Sequence, residues 1–140
     1  MKQIEKVIYV DGVITDNTSL KKLVNKTMPN TYCHHMTIKF GGLDDIPSYN
    51  GIEIEFVCEK VFFNKSAVAV SGYVNDPLIA KVMNSNKQHA HITVCTNQGV
   101  APVYSNTLLE VGDSIEYHDV VKMKIGTFVA FTDGSTGWIF

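Results

Sequence analysis

The chain has 140 residues, 45% of them hydrophobic and 19% charged, which predicts a single domain over residues 1–140 with a buried core. Its formal net charge of −2 argues against general affinity for duplex nucleic acid or for membranes, since both normally require a basic excess. Three cysteines without framework spacing, an N-terminus without a signal-peptide pattern, and apolar runs shorter than the roughly 18 residues of a membrane span indicate a soluble, cytoplasmic protein.

The first part of the chain predicts a strand, a helix and a second strand. Residues 4–10 (IEKVIYV) are rich in β-branched side chains, and the pair Asp11-Gly12 that follows is typical of a turn. Apolar residues at helical spacing predict a helix over residues 16–28, stopped by Pro29. A strand over residues 32–40 should follow.

The rest of the chain repeats this order once. Asn75 or Asp76 is a suitable cap for a helix that has Pro77 in its first turn. Strands are predicted at residues 52–56, 61–63, 67–74, 90–96, 114–125 and 127–131. Because each half places a helix just before a histidine-bearing strand, we predict one two-lobed α+β domain. Its antiparallel sheets and few helices would form pseudo-two-fold halves around a central cleft.

A tandem motif carries the functional prediction. The sequence reads His-Met-Thr-Ile from His35 and His-Ile-Thr-Val from His91. Side chains two positions apart on a strand share a face, so each histidine shares a face with Thr37 or Thr93. The alternate residues are apolar and are expected to face the core.

Two such strands facing each other would place two imidazoles and two hydroxyls in one small volume. Imidazole titrates near pH ~6.5, so one ring can be a base while the other is an acid. Metal-free phosphodiester cleavage requires such a pair, and threonine hydroxyls can donate to the non-bridging phosphate oxygens. The predicted catalytic residues are therefore His35, Thr37, His91 and Thr93, with no metal and no cofactor.

Several other side chains are candidates for substrate binding. Aromatic rings near the motifs can stack on a nucleobase, a lysine on the motif face can attract phosphate, and small polar side chains can donate hydrogen bonds or simply shape a turn. The candidates are Tyr32, Lys39, Tyr104, Ser105, Asn106 and Trp138.

A zinc site is an alternative interpretation. Cys33 shares a predicted face with His35, and His89 shares one with His91, so four ligands could hold a zinc ion. This reading leaves the two motif threonines unexplained. His34 is expected to point away from His35. A third hypothesis is a binding module that sequesters nucleotides without cleaving them, although sequestration does not need a paired acid and base.

The tandem motif resembles that of the two-histidine (2H) phosphoesterases, a superfamily that includes LigT-like RNA phosphodiesterases and the cyclic phosphodiesterase domains of CNPase and fungal tRNA ligases. The segment HITVCTNQGVAPVYSNTLLEVGD is similar to the CNPase and tRNA-ligase form, and HMTIKFGG fits the N-terminal copy. The resemblance implies that His35 and His91 are the acid–base pair and that Thr37 and Thr93 bind phosphate. It also implies metal-free action on 2′,3′-cyclic phosphates, on 2′–5′ or 3′–5′ linkages, or on cyclic oligonucleotides.

In length the chain resembles the phage anti-CBASS phosphodiesterases, which destroy the cyclic nucleotide signals of bacterial antiviral immunity. This resemblance implies cleavage of cyclic oligonucleotide messengers in a host cytoplasm, as immune evasion. The alternative is RNA end processing, with an RNA-terminal phosphate or a 2′–5′ linkage as the substrate. No pattern in the sequence indicates an oligomeric state.

Overall fold

The fold was analysed in a computed structural model that describes residues 2–41 and 43–140. The strands are β1 Ile4–Ile14, β2 Asn30–Thr31, β3 His35–Phe40, β4 Glu53–Phe63, β5 Ala67–Val74, β6 His91–Thr96, β7 Asp113–Phe131 and β8 Thr136–Ile139. The helices are α1 Thr18–Lys21, α2 Pro77–Ser85 and α3 Ser105–Val111, with a 3₁₀ turn at Pro102–Tyr104. The prediction of an α+β fold with few helices is confirmed.

All these strands join one sheet, and every pairing within the described ranges is antiparallel. The strand order is β2-β6-β5-β4-β7-β1-β3, with β8 paired to β7. The order is symmetric about the central pair β4–β7: β5 and β1 flank that pair, and β6 and β3 carry the two motifs outside them. This arrangement matches the predicted pair of similar halves.

The two motif strands meet because the sheet curls and the chain crosses between its edges. The backbone N–H groups of Tyr32 and Cys33 donate to the carbonyls of Val94 and Thr93 on β6, at 2.8 and 3.0 Å. The next residue, His34, lies at the other edge of the sheet. Its backbone carbonyl accepts a hydrogen bond of 2.8 Å from the N–H of Ile14 on β1. This crossing leaves a cleft between β3 and β6.

The core lies on one face of the curled sheet, and the motif face lies on the other. We call the motif face the one that carries His35, Thr37, His91 and Thr93. The alternate motif residues are buried in the core as predicted: Met36 is 1% exposed, and Ile38, Ile92 and Val94 are 0% exposed. Burial of such aliphatic side chains contributes roughly 1.5–3 kcal/mol each, so the motif strands are anchored from behind.

Helices α1 and α2 cover the core through Leu20, Ile79 and Met83. The predicted cap of α2 is confirmed at Asp76, whose carboxylate accepts from the N–H of Ile79 at 3.1 Å. Helix α3 packs on the opposite face of β5 through Leu108. Within the described residues, no helix combines the length and the apolarity needed to cross a bilayer.

The predicted turn at Asp11-Gly12 is wrong, because β1 runs through both residues to Ile14. Gly12 has extended neighbours on both sides, and a Cβ atom there would lie 2.7 Å from the sulfur of Met123. The glycine thus permits close packing and does not mark a turn. The predicted helix over 16–28 is also shorter than expected, since α1 ends at Lys21 and turns follow.

The last two predicted strands form one strand, β7, which passes through Gly126 without a break. Two rings lie over that glycine: a Cβ atom would be 2.6 Å from Phe140 and 3.1 Å from Trp138. Strand β8 and helix α3 were not predicted. Both depend on packing against β7 and β5, which a local pattern does not reveal.

Gly72 should be essential for stability, because a methyl group there would overlap the backbone carbonyl of Val57 on the adjacent strand. We expect Gly72→Ala to lower the free energy of unfolding by more than about 2 kcal/mol, as measured by urea denaturation. Gly137→Ala is the matched control, since its Cβ would meet only the ring of Phe131 at an ordinary 3.4 Å. Equal stability of the two variants would contradict the close approach of β4 and β5.

Candidate active site

The cleft between β3 and β6 contains a cavity of about 370 Å³. Its lining brings together all four side chains that the motif analysis selected. The lining residues are Tyr32, His34, His35, Thr37, Phe40, Gln88, His91, Thr93, Pro102, Val103 and Asn106. The polar groups thus converge in one concave volume, as expected of a small-ligand site.

His35 is held by a carboxylate from the neighbouring strand. In the β1–β3 register, Asp11 lies opposite Thr37 and Val13 lies opposite His35. Asp11 Oδ2 is 2.6 Å from His35 Nδ1, and the Asp11 side chain is 1% exposed whereas that of His35 is 44% exposed. Since Nδ1 faces the carboxylate, Nε2 is the ring nitrogen left free to act.

The pair has a clear electrostatic preference. The hydrogen bond that the ring donates to Asp11 raises the pKa of His35 above its ordinary value, and the charge of Asp11 adds to this against the lowering effect of burial. Burial raises the pKa of Asp11, while the hydrogen bond and charge of His35 oppose that rise. Among the described residues, no other group donates to the Asp11 carboxylate. We assign the shared proton to His35, because its partly exposed ring can be solvated as a cation.

His91 is in a different environment. Its Nδ1 lies 2.9 Å from the carbonyl oxygen of His89, which can only accept. The hydrogen bond therefore fixes the proton of the neutral ring on Nδ1 and leaves a lone pair on Nε2. Burial lowers the pKa of His91, and the charge of His89 lowers it further, against the raising effect of the backbone hydrogen bond.

The two threonines also differ. Thr93 Oγ1 lies 2.7 Å from Ser105 Oγ, and it also donates a longer hydrogen bond of 3.4 Å to the carbonyl of Pro102. Ser105 is 0% exposed at the start of α3, so it contacts Thr93 and not the cavity. The Thr37 hydroxyl makes no hydrogen bond to protein among the described residues, so it is free to meet a ligand.

The structure places the remaining candidates at different distances from the cavity. Tyr32 and Asn106 line it. Lys39 lines an adjoining depression and not the cavity itself. The register of the β1–β3 pair shifts between Val10 and Asp11, and this shift separates Lys39 from the position of Thr37. Trp138 lies beside His35, with ring centroids 6.4 Å apart.

Tyr104 is not among the lining residues. Its hydroxyl accepts a hydrogen bond of 2.8 Å from Asn64, and its ring packs against the small cluster formed by Ala67, Ala69 and Leu108. The side chain therefore supports the 3₁₀ turn and α3 from outside the cavity.

Sequence reasoning missed Asp11, the strongest polar partner in the site. The signal was available: the carboxylate has apolar residues on both sides in IYVDGVI, which is more typical of a continuing strand than of a turn. Phe40 was also missed, although it lines the cavity. Strict alternation from Thr37 would turn Phe40 to the core face. The shifted register returns it to the motif face opposite Tyr9.

The prediction that His34 points away from the site is wrong, because His34 lines the cavity. Cys33 has φ +69°, which breaks the alternation on which the prediction relied. The zinc alternative fails for the same reason: Cys33 is fully buried, with its sulfur 3.6 Å from the carbonyl of Val94. In residues 2–41 and 43–140, no group of three histidine, cysteine or acidic side chains could hold a metal ion.

Comparison with protein families places this chain beside a known phosphodiesterase domain. The model described as the fungal tRNA ligase phosphodiesterase domain matches residues 5–132, a range that includes both motifs and Asp11. Comparison with curated proteins found no match.

The two imidazoles should titrate in a fixed order, which NMR of the ring nitrogens can measure. As pH rises, His91 should lose its proton at a pH below the ordinary 6.5, and His35 at a pH above it. The nitrogen shifts of neutral His91 should also identify the tautomer with its proton on Nδ1. The reverse titration order would contradict the assigned roles of Asp11 and the His89 carbonyl.

Proposed function

Since the chain belongs to the fungal tRNA ligase phosphodiesterase family of the two-histidine phosphoesterases, and is thus a phosphodiesterase, we propose that it opens the 2′,3′-cyclic phosphate of RNA ends. The scissile phosphate would lie between His35 and His91, and no metal would take part. One observation carries the proposal: both rings direct Nδ1 to an oxygen acceptor, which is a charged carboxylate at His35 and a neutral carbonyl at His91. Each therefore offers Nε2 to the substrate in a different protonation state.

His91 is the base in this mechanism. Its free Nε2 takes a proton from water as the water oxygen attacks phosphorus, and the neutral form that this step requires is favoured by the lowered pKa. One phosphorus–oxygen bond forms with the water oxygen, and one breaks to the leaving ribose oxygen. The product is a phosphate monoester.

His35 is the acid. Its Nε2 donates a proton to the leaving ribose oxygen, and the raised pKa keeps that proton in place until the bond breaks. Asp11 is buried and is not among the residues that line the cavity, so it is a positioning residue: it orients the ring and stabilises the imidazolium. Exchange with solvent then returns the proton from His91 and recharges His35.

The threonines stabilise charge on the phosphoryl group by donating to its non-bridging oxygens. Thr37 has a hydroxyl without a protein partner, so it can donate directly. Thr93 has one hydroxyl proton, so it can donate to phosphate when Ser105 supplies the proton of their 2.7 Å hydrogen bond and the long 3.4 Å bond to the Pro102 carbonyl is given up.

Cleavage of cyclic oligonucleotide messengers is the second candidate function. The same acid and base would act on an internal linkage, and the cleft is open on the side of Phe40, which is 77% exposed. A ligand larger than one nucleotide can therefore extend out of the cavity. Immune evasion in a host cytoplasm would follow from this second substrate and not from the first.

A product assay in EDTA distinguishes these substrates. It compares a nucleoside 2′,3′-cyclic phosphate with a panel of cyclic dinucleotides and trinucleotides. We expect the 2′,3′-cyclic phosphate to be opened, and His35→Ala and His91→Ala each to lower kcat by about 10²–10⁴-fold. His118→Ala, at an exposed site beside Glu116, is the control that should retain activity.

Cleavage of the cyclic oligonucleotides alone, lost in both histidine variants, would instead support the second candidate. Loss of activity in EDTA that added zinc restores would contradict metal-free chemistry. If wild type cleaves no member of the panel, the catalytic proposal is wrong and nucleotide binding becomes the leading hypothesis.

The pH profile of kcat/KM should be a broad bell. Activity falls on the acid side as His91 becomes protonated, below its ordinary 6.5, and on the alkaline side as His35 loses its proton, above 6.5. Asp11→Asn removes the charge that raises the pKa of His35, so only the alkaline limb should move to lower pH. Other titratable groups around the rings, His34 and His89, are unchanged in this variant.

Asp133→Asn is the matched control, because it makes the same chemical change at an exposed carboxylate paired with Lys2. It should leave both limbs where they are. If Asp11→Asn lowers activity equally at every pH, Asp11 supports the fold alone and does not act through His35.

A further inference from the structure

We propose that a rim beside the cavity, formed by Phe40, Lys39 and Gln88, binds a second nucleotide, so that the preferred substrate is an oligonucleotide and not a mononucleotide. The inference rests on the proposed cleavage between His35 and His91. It adds a subsite of defined chemistry, with one flat apolar face for a base and one cation for a phosphate.

Phe40 ends a row of aromatic rings on the motif face. Tyr9 stacks on Phe40 at 6.0 Å and 11° and on Phe128 at 5.0 Å and 14°, and Trp138 meets Tyr9 edge-on at 5.6 Å. The three stacked rings belong to neighbouring strands in the order β3, β1 and β7. Because β3 is the outermost of these, no further strand of residues 2–41 and 43–140 pairs with β3 on the outer side of Phe40.

That outer face is open and faces the cavity. Phe40 is 77% exposed, more than the other exposed large hydrophobic residues in the described ranges, and it lines the catalytic cavity as well as the depression next to it. A nucleobase placed there would continue the row as a further ring. Stacking of this kind accepts any base, because every base has a flat π-face.

The charge distribution points to the same place. Among the described residues that line the cavity there is no lysine, and the chain contains no arginine, so the proposed site for the scissile phosphate has the His35 imidazolium as its cation and no long basic side chain. Lys39 lines the depression that shares Phe40 and Gln88 with the cavity. Among the described residues it has no carboxylate within ion-pair distance, so its ammonium group is available to a phosphate.

The opposite side of the cavity has the wrong charge for a phosphate. There, Asn106 leads into a second depression that is lined by Glu59 and Glu110. Two carboxylates would repel a phosphodiester, whereas Lys39 attracts one. A substrate that extends beyond the scissile phosphate is therefore directed toward Phe40.

The size of the cavity requires such an extension for any larger substrate. Its volume of about 370 Å³ lies near the lower end of the range of about 300–1,000 Å³ typical of small-ligand pockets. One nucleotide with its cyclic phosphate can be accommodated within it. A second base and a second phosphate must lie on the rim.

The test compares adenosine 2′,3′-cyclic phosphate with the dinucleotide ApA that ends in the same cyclic phosphate. For wild type, kcat/KM should be at least about tenfold higher for the dinucleotide, the gain expected from one stacked base. Phe40→Ala should remove most of that ratio, and Phe40→Tyr, which keeps the ring, should retain it. Lys39→Gln should lower the ratio and reduce its dependence on salt concentration.

Lys65→Gln is the charge control, since Lys65 lies in the β4–β5 hairpin and lines none of these depressions. It should leave the ratio unchanged. A wild-type ratio near one, or a ratio that neither Phe40→Ala nor Lys39→Gln lowers, would overturn the inference while the proposed hydrolysis stands.

A binding measurement covers the case in which wild type opens neither substrate, which would contradict the proposed hydrolysis. Calorimetry with adenosine 3′-phosphate and with ApA 3′-phosphate gives the same comparison without a chemical step. Tighter binding of the dinucleotide by about tenfold, lost in Phe40→Ala, would support the subsite. Equal dissociation constants would overturn it.

Discussion

The crossing of the chain between the two edges of the sheet is the constraint on which the active site depends. In a flat sheet, the five strand spacings between β6 and β3 would separate the motifs by about 24 Å. The N–H groups of Tyr32 and Cys33 bind β6, and the carbonyl of His34 binds β1, so the curl is held by backbone hydrogen bonds within three consecutive residues. Cys33 adopts φ +69° to make this possible, a conformation that is uncommon for residues other than glycine. Its buried side chain explains why such a residue is tolerated there: the thiol fills the core beneath the crossing.

The two motifs have the same composition, but their histidines have different partners and therefore favour different protonation states. Beside β1 the buried carboxylate of Asp11 favours a charged imidazole at His35, whereas on β6 burial favours a neutral one at His91 and the carbonyl of His89 fixes its proton on Nδ1. The two threonines also differ, because Ser105 forms a hydrogen bond with Thr93 alone. A buried carboxylate with one partner is costly to hold, since its desolvation is offset by a single ion pair. Buried charged groups of this kind are typical of functional sites, where a defined protonation state is maintained at the cost of local stability.

The features of the fold that depend on local sequence patterns were predictable. Alternation along the motif strands correctly assigned Met36 and Ile38 to the core, and the Asp76 cap located α2. The parts that were missed depend on register between strands distant in sequence. The β1–β3 shift places Phe40 on the motif face, and the pairing of Asp11 with Thr37 turns an apparent turn residue into a partner of His35. Strand β8 was missed for a different reason: it pairs with the adjacent β7, and the rings of Trp138 and Phe140 need the bare backbone of Gly126, a contact that a local hydrophobic pattern does not encode.

The pairing of β1 with β7 has a consequence for synthesis on the ribosome. Ile14 pairs with Met123, so the strand beside the first motif finds its second neighbour only after more than a hundred further residues have been translated. Until then β1 and β3 can form at most a hairpin, which is marginally stable in water. The second motif lies on β6, whose partners β2 and β5 precede it in the chain, so only the first motif depends on the late strand for its neighbour. The nascent chain therefore carries His35 for most of its elongation, and His91 only for the last part, before β7 completes the sheet that holds the proposed site.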